Sequence, residues 1–125
     1  MRKAIIVEDA IPPVGHFSHA VILNGTVYAS GQGPQDPETG AVPDDFEAQV
    51  RQTLRNLETV LKGAGSSLAD VLKMNVYLTD ATRFADFNRV YAEFFPEEPP
   101  ARTTVSCQLI GILVEIDCIA AVREE

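Results

Sequence analysis

Residues 20–29 read Ala-Val-Ile-Leu-Asn-Gly-Thr-Val-Tyr-Ala. Two β-rich runs, Ala20–Leu23 and Thr26–Ala29, flank Asn24-Gly25, the dipeptide best suited to the two positive φ angles of a type I′ turn. This stretch predicts a hairpin and is the first fixed point of the fold. Upstream, Lys3–Val7 forms a weaker β-run. Downstream, Ser30-Gly31-Gln32-Gly33-Pro34 closes the hairpin, and Asp36-Pro37-Glu38-Thr39-Gly40 reads as a turn-rich loop leading to Pro43.

From Asp44 the apolar residues fall at Phe46, Val50, Leu54, Leu57, Leu61 and Ala64, a spacing that traces one face of a helix. Asp44 with Glu47 fits a capping box, and Gly63 and Gly65 supply the end. Val71–Leu78 alternates as a half-buried strand should, with Leu72, Met74, Val76 and Leu78 on one face. Asp80 then starts a second helix carrying Phe84, Phe87, Tyr91, Phe94 and Phe95, which Pro96 stops. Ala101–Leu109 and Leu113–Val122 are two further β-runs, and Gly111 between them suggests a second hairpin. The order β, β, β, α, β, α, β, β argues for an α+β fold, a sheet with its helices on one face.

The 125 residues, 46% hydrophobic and 22% charged, suit one domain spanning 1–125 and exclude collagen-like, disulfide-scaffold and wholly disordered chains. The longest apolar run, around Leu109–Val114, is far shorter than a membrane span. Ten basic against eighteen acidic residues give a net charge of -8, which repels phosphate backbones and anionic membranes; no basic patch overrides it. Neither nucleic acid nor membrane is therefore expected as a partner. Two cysteines without a CxxC, and an N-terminus without a secretory pattern, predict reduced thiols in a cytoplasmic setting.

Strand alternation sorts the candidate chemistry. Arg102, Thr104, Ser106 and Gln108 share a polar face, while Cys107 and Cys118 fall on apolar faces and read as core. Arg102 follows Pro99-Pro100-Ala101, a stiff platform from which a guanidinium could grip a carboxylate with two prongs, or simply stand on the surface. Glu115 and Asp117 sit in an apolar strand, where burial would raise a carboxyl pKa toward acid/base work unless an internal salt bridge holds them. Asn88 interrupts the aromatic helix stripe and needs a partner, either a backbone group or a ligand. Gly31-Gln32-Gly33 fits a tight turn, or exposed amides for a carboxylate oxygen. His16 and His19 lack a third ligand, so no metal is expected. If the last two strands paired about Gly111, Arg102 and Glu115 would stand roughly 16 Å apart along one ladder, too far to share a small substrate. Either the strands bend sharply or the two residues meet across a subunit boundary. Apolar residues on both faces of these strands favour a buried interface.

Taken together, Gly15-His-Phe-Ser-His-Ala20, Ser30-Gly-Gln-Gly-Pro34, Leu72-Lys-Met-Asn-Val-Tyr-Leu78, Asn88-Arg-Val-Tyr91, Phe94-Phe95, Pro100-Ala-Arg102 and Val114-Glu-Ile-Asp-Cys-Ile-Ala120 resemble the Rid/YjgF family of reactive-intermediate deaminases over nearly the whole chain. The resemblance implies a chorismate-mutase-like fold: a mixed sheet with two helices on one face, assembled as a barrel-like homotrimer with clefts between subunits. It implies hydrolysis of enamines and imines such as 2-aminoacrylate and 2-iminopropanoate to a 2-keto acid and ammonia, without a cofactor. It also implies that Arg102 and Glu115 are catalytic, Arg102 holding the substrate carboxylate and Glu115 positioning water. Phe17, Ser30, Gly31, Asn88 and Thr104 would complete the substrate site. Three features depart from the family pattern. Phe17 and His19 replace a tyrosine and a glutamine, Thr104 stands where some members have a cysteine, and the loop at Leu109-Ile-Gly111 is shortened. A larger, aminomuconate-like enamine acid is the nearest alternative substrate. A non-catalytic small-ligand-binding trimer is the alternative of a different class. Ribonuclease activity has also been attributed to the family, and the acidity of this chain weighs against it.

Overall fold

A computed structural model describes residues 1–123; Glu124 and Glu125 of the expected 1–125 domain lie outside the described residues. The hairpin forms as read: β2 (Ala20–Leu23) pairs with β3 (Thr26–Gln32), and Asn24 and Gly25 take φ of 50° and 75°. A short β1 (Lys3–Ile5) adds to its edge. The long helix α1 spans Phe46–Gly63, and all six apolar residues of the predicted stripe are buried. Its cap is Asp45 rather than Asp44, because the Asp45 carboxylate accepts the Ala48 N–H at 2.9 Å. Gly65, at φ 80°, turns the chain so that Ser66 N–H reaches back to the Leu61 carbonyl at 2.8 Å.

β4 (Val71–Leu78) follows, then a 3-10 turn at Ala81–Arg83 capped by Asp80, then α2 (Phe84–Phe94). Leu72 departs from the expected alternation. The pairing of β4 shifts register between Val71 and Lys73, which turns Leu72 outward to 54% exposure while Met74, Val76 and Leu78 remain buried. Phe84 is likewise exposed at the start of α2, where Phe87 and Tyr91 face the core. The helices are tied together on the outside by Arg51 with Glu93 and Arg89 with Glu47.

The predicted hairpin of the last two strands does not form. β5 (Ala101–Ser106) pairs in parallel with β4, and β6 (Val114–Ala121) lies between β3 and β4, antiparallel to both, giving the order β1-β2-β3-β6-β4-β5. The helix α2 is the crossover that lets β4 and β5 run parallel, and residues 107–113, with Gly111 at φ 73°, carry the chain back to the sheet centre. Cys107 therefore sits beyond the end of β5, half-buried rather than in the core, whereas Cys118 is buried as expected. Both helices cover one face, where Val27, Met74, Val76, Ile116, Cys118 and Ala120 pack. On the opposite face stand Tyr28, Asn75, Tyr77, Val105, Glu115, Asp117 and Ile119, none of them fully buried.

Candidate functional site

The registers place Arg102 beside Met74 and Cys118, on the helix-covered face, and Glu115 beside Tyr77, on the open face. Within one chain they are separated by three residues along the strands and two strand spacings across them, roughly 14 Å between α-carbons. The sheet itself also stands between their side chains. The two residues therefore belong to two separate half-sites.

The first half-site surrounds Glu115. β3 carries one extra residue between Ala29 and Gln32 relative to β6, and this bulge brings Ser30 and Gly31 opposite Asp117. A Cβ on Gly31 would collide with the Glu115 carboxylate, so a residue without a side chain is required for the carboxylate to lie against β3. A cavity of ≈ 390 Å³ opens here, with Glu115, Ser30 and Gly31 on one side and Ile11, Phe17 and Ile112 among its apolar walls. Burial, and then repulsion from Asp117, raises the Glu115 pKa. Among the described residues Asp117 makes no salt bridge: it accepts from Asn75 Nδ2 and from the Tyr77 hydroxyl, each at 2.8 Å. That bond to Asp117, with burial, pushes the Tyr77 phenol up to about 12, so it stays a hydrogen-bond donor. Ser30 donates its hydroxyl to the Ser18 carbonyl at 2.6 Å and its N–H to His19. Both donors of Ser30 are thus engaged within the chain. Gly31→Ala should push the Glu115 carboxylate away from β3 while leaving the fold intact, so an unchanged circular dichroism spectrum is expected.

The second half-site surrounds Arg102. Its Nη2 donates to Asn88 Oδ1 at 2.6 Å, so within the chain the polar residue of the aromatic stripe is partnered by a guanidinium 14 residues on rather than by backbone. The guanidinium carbon lies 4.8 Å from the Tyr91 ring centroid, 5.2 Å from Phe87 and 5.6 Å from Phe84. These ring faces attract the cation and hold its plane. Only one of its hydrogen bonds is made within the described chain, so the remaining N–H groups of the fork are available. A cavity of ≈ 290 Å³ lies in front, with Asn88, Tyr91, Phe95, Pro99 and Pro100 around it. Thr104, half-buried on the same face of β5, lines neither cavity.

The Cys118 thiol is a poor candidate for chemistry: burial, then Asp117, pushes it up to about 12. His19 cannot serve a metal, because both ring nitrogens are bonded to backbone groups, Val7 N–H at 2.8 Å and the Ile11 carbonyl at 2.6 Å. Sequence reading missed this role of His19, the Pro12–Val14 wall and the aromatic bed of Arg102. The aromatic stripe was visible, but periodicity alone could not show that it carried an arginine.

A family model described as Endoribonuclease L-PSP matches residues 7–122. The chain belongs to the Rid/YjgF family. Among its Rid/YjgF relatives, the RutC family protein PH0854 of Pyrococcus horikoshii is 42% identical over 123 residues, covering 96% of this chain and 98% of that protein. The Escherichia coli K12 protein named "Putative reactive intermediate deaminase TdcF" is 37% identical over 125 residues, covering 96% and 97%. In the crystal structure of RidA from the Antarctic bacterium Psychrobacter sp. PAMC 21119, a Rid/YjgF chain superposes with a TM-score of 0.91 at 38% identity, over 96% of this chain and 99% of that one. The six-stranded sheet with two helices is thus the Rid/YjgF architecture, a mixed α+β fold.

Proposed function

We propose that this chain hydrolyses 2-imino and 2-enamino acids of the 2-iminopropanoate and 2-aminoacrylate type to the 2-keto acid and ammonia, without a cofactor, in clefts between the subunits of a chorismate-mutase-like homotrimer. The observation that carries this reading is the split of the machinery: an arginine with free donors on one face of the sheet and a carboxylate in its own cavity on the other. A neighbouring copy would present the Arg102 half-site to the Glu115 half-site and complete a cleft. The open face, with Tyr28 and Val105 exposed, supplies apolar surface for such an assembly.

In the completed cleft Arg102 grips the substrate carboxylate through two N–H groups, with Asn88 holding the guanidinium in register. An enamine first takes a proton at C3 and gives one up from nitrogen to become the imine; Glu115, whose raised pKa favours accepting a proton over permanent ionisation, then orients a water toward the imine carbon. Addition of that water gives a tetrahedral amino alcohol. Proton transfer to its nitrogen expels ammonia, and the hydroxyl oxygen becomes the keto oxygen. The iminium carbon is already electrophilic, so positioning supplies much of the acceleration. Phe17, Ser30 and Gly31 line the Glu115 side, and Thr104 stands next to Arg102 along β5. The acidic surface and the composition fit a cytoplasmic protein that binds no nucleic acid.

The apolar wall of Ile11, Pro12, Pro13, Val14, Phe17 and Ile112 favours a second reading, in which the substrate is a larger, aminomuconate-like enamine acid. Both readings are tested by freshly generating the two classes of substrate and measuring keto-acid and ammonia release. Stoichiometric release from 2-aminoacrylate at a rate well above that of buffer is expected. Binding of keto acids with no release from either class would instead indicate a non-catalytic ligand-binding trimer.

A further inference from the structure

Between Val7 and Ser18 the chain enters no ladder. Its own main-chain bonds, Ala10 N–H to the Val7 carbonyl at 3.2 Å and Phe17 N–H to the Gly15 carbonyl at 3.0 Å, are internal and do not fix where the segment stands relative to the sheet. Ala10 and Val7 pack one end of it against the core, and the buried imidazole of His19, 1% exposed just before β2, supplies the side-chain hydrogen bonds that hold its backbone. Val7 N–H donates to its Nδ1 at 2.8 Å, and its Nε2 lies 2.6 Å from the Ile11 carbonyl. A carbonyl can only accept and a backbone N–H can only donate, so the ring carries its hydrogen on Nε2 and leaves Nδ1 bare. One ring thus spans the two ends of the bend that launches Ile11, Pro12, Pro13 and Val14 over the larger cavity, and the ring itself forms part of that cavity's floor.

We infer that His19 is a positioning residue for the deaminase site, setting the stance of the Ile11–Phe17 wall opposite Glu115 through two backbone bonds without touching the reacting atoms; the kinetic part of this inference rests on the deaminase reading above. Loss of either bond leaves a part-buried backbone group without its partner and frees the wall, which should weaken substrate capture more than the chemical step. A glutamine amide offers the same inventory, one donor and one acceptor, and should restore what an apolar side chain removes.

The test compares His19→Leu and His19→Gln with the unaltered protein by hydrogen–deuterium exchange and by steady-state kinetics on 2-iminopropanoate. For His19→Leu, exchange across residues 6–17 should quicken by about tenfold or more while β4 keeps its protection. Its KM should rise by about tenfold with kcat within about threefold, and His19→Gln should return both measures to within about threefold of wild type. If His19→Leu does not fold, His19→Asn takes its place; the shorter amide should expose the 11–17 wall in the same assay. Wild-type exchange in the leucine variant, or a glutamine variant as impaired as the leucine one, would overturn the inference. If the unaltered protein does not turn over the imine, the deaminase reading fails, and the exchange result alone decides whether His19 anchors the wall.

Discussion

Arg102→Lys is expected to lower kcat/KM on 2-iminopropanoate by about a hundredfold or more, although the charge is retained. The bed of Phe84, Phe87 and Tyr91 suits a flat guanidinium, and Asn88 Oδ1 takes one of its N–H groups while the rest of the fork stays open. A lysine ammonium is a point charge on a flexible stem. It can bond Asn88 or a carboxylate oxygen, but it cannot hold two carboxylate oxygens in a plane. The loss should appear with unaltered secondary structure and oligomeric state, since Arg102 is half-exposed and no carboxylate among the described residues depends on it. Near-normal kcat/KM in this variant would remove carboxylate clamping from its role.

Glu115→Gln should reduce turnover by roughly a hundredfold, the scale of one positioned base, while a stable keto-acid product binds at least as tightly as to wild type. The reason is electrostatic: an ionised Glu115 repels a substrate carboxylate nearby. The amide keeps the size of the side chain and removes both the basic oxygen and the charge. Calorimetric titration and the imine assay on one preparation separate the two effects. Turnover near wild type would reduce Glu115 to a structural acid, and binding lost together with turnover would place it with Arg102 in holding the substrate.

The elements legible in the sequence are those decided locally. Asn24-Gly25 specifies its hairpin through two positive φ angles, and α1 announces itself because Phe46, Val50, Leu54, Leu57 and Leu61 repeat with the helical period. What alternation does not encode is the partner. The runs around Val105 and Ile116 look like neighbours joined at Gly111, but β6, whose Val114, Ile116, Cys118 and Ala120 are all buried under the helices, takes the centre of the sheet between β3 and β4. Leu72 was misplaced for a related reason, because a bulge changes the phase of a strand without changing its composition. The candidate site shows the same division. Arg102, Glu115 and Asn88 stood out by residue type in unusual settings, whereas the pairing of Arg102 with Asn88 and the placement of Glu115 on the opposite face follow from the topology. The His19 clamp depends on backbone groups of a segment without regular structure, for which no periodic signal exists.

The central claim, that Arg102 of one subunit works with Glu115 of another, is tested most directly by mixing two inactive variants. Arg102→Ala and Glu115→Gln subunits, denatured together in equal amounts and refolded, should assemble at random into trimers. A cleft works when its arginine comes from a Glu115→Gln subunit and its glutamate from an Arg102→Ala subunit, so about a quarter of all clefts should be intact. The account predicts recovery of roughly 25% of wild-type activity from two preparations that are each nearly inactive when refolded alone. Activity no greater than the average of the two separate variants, in mixed trimers verified by native mass spectrometry, would contradict it.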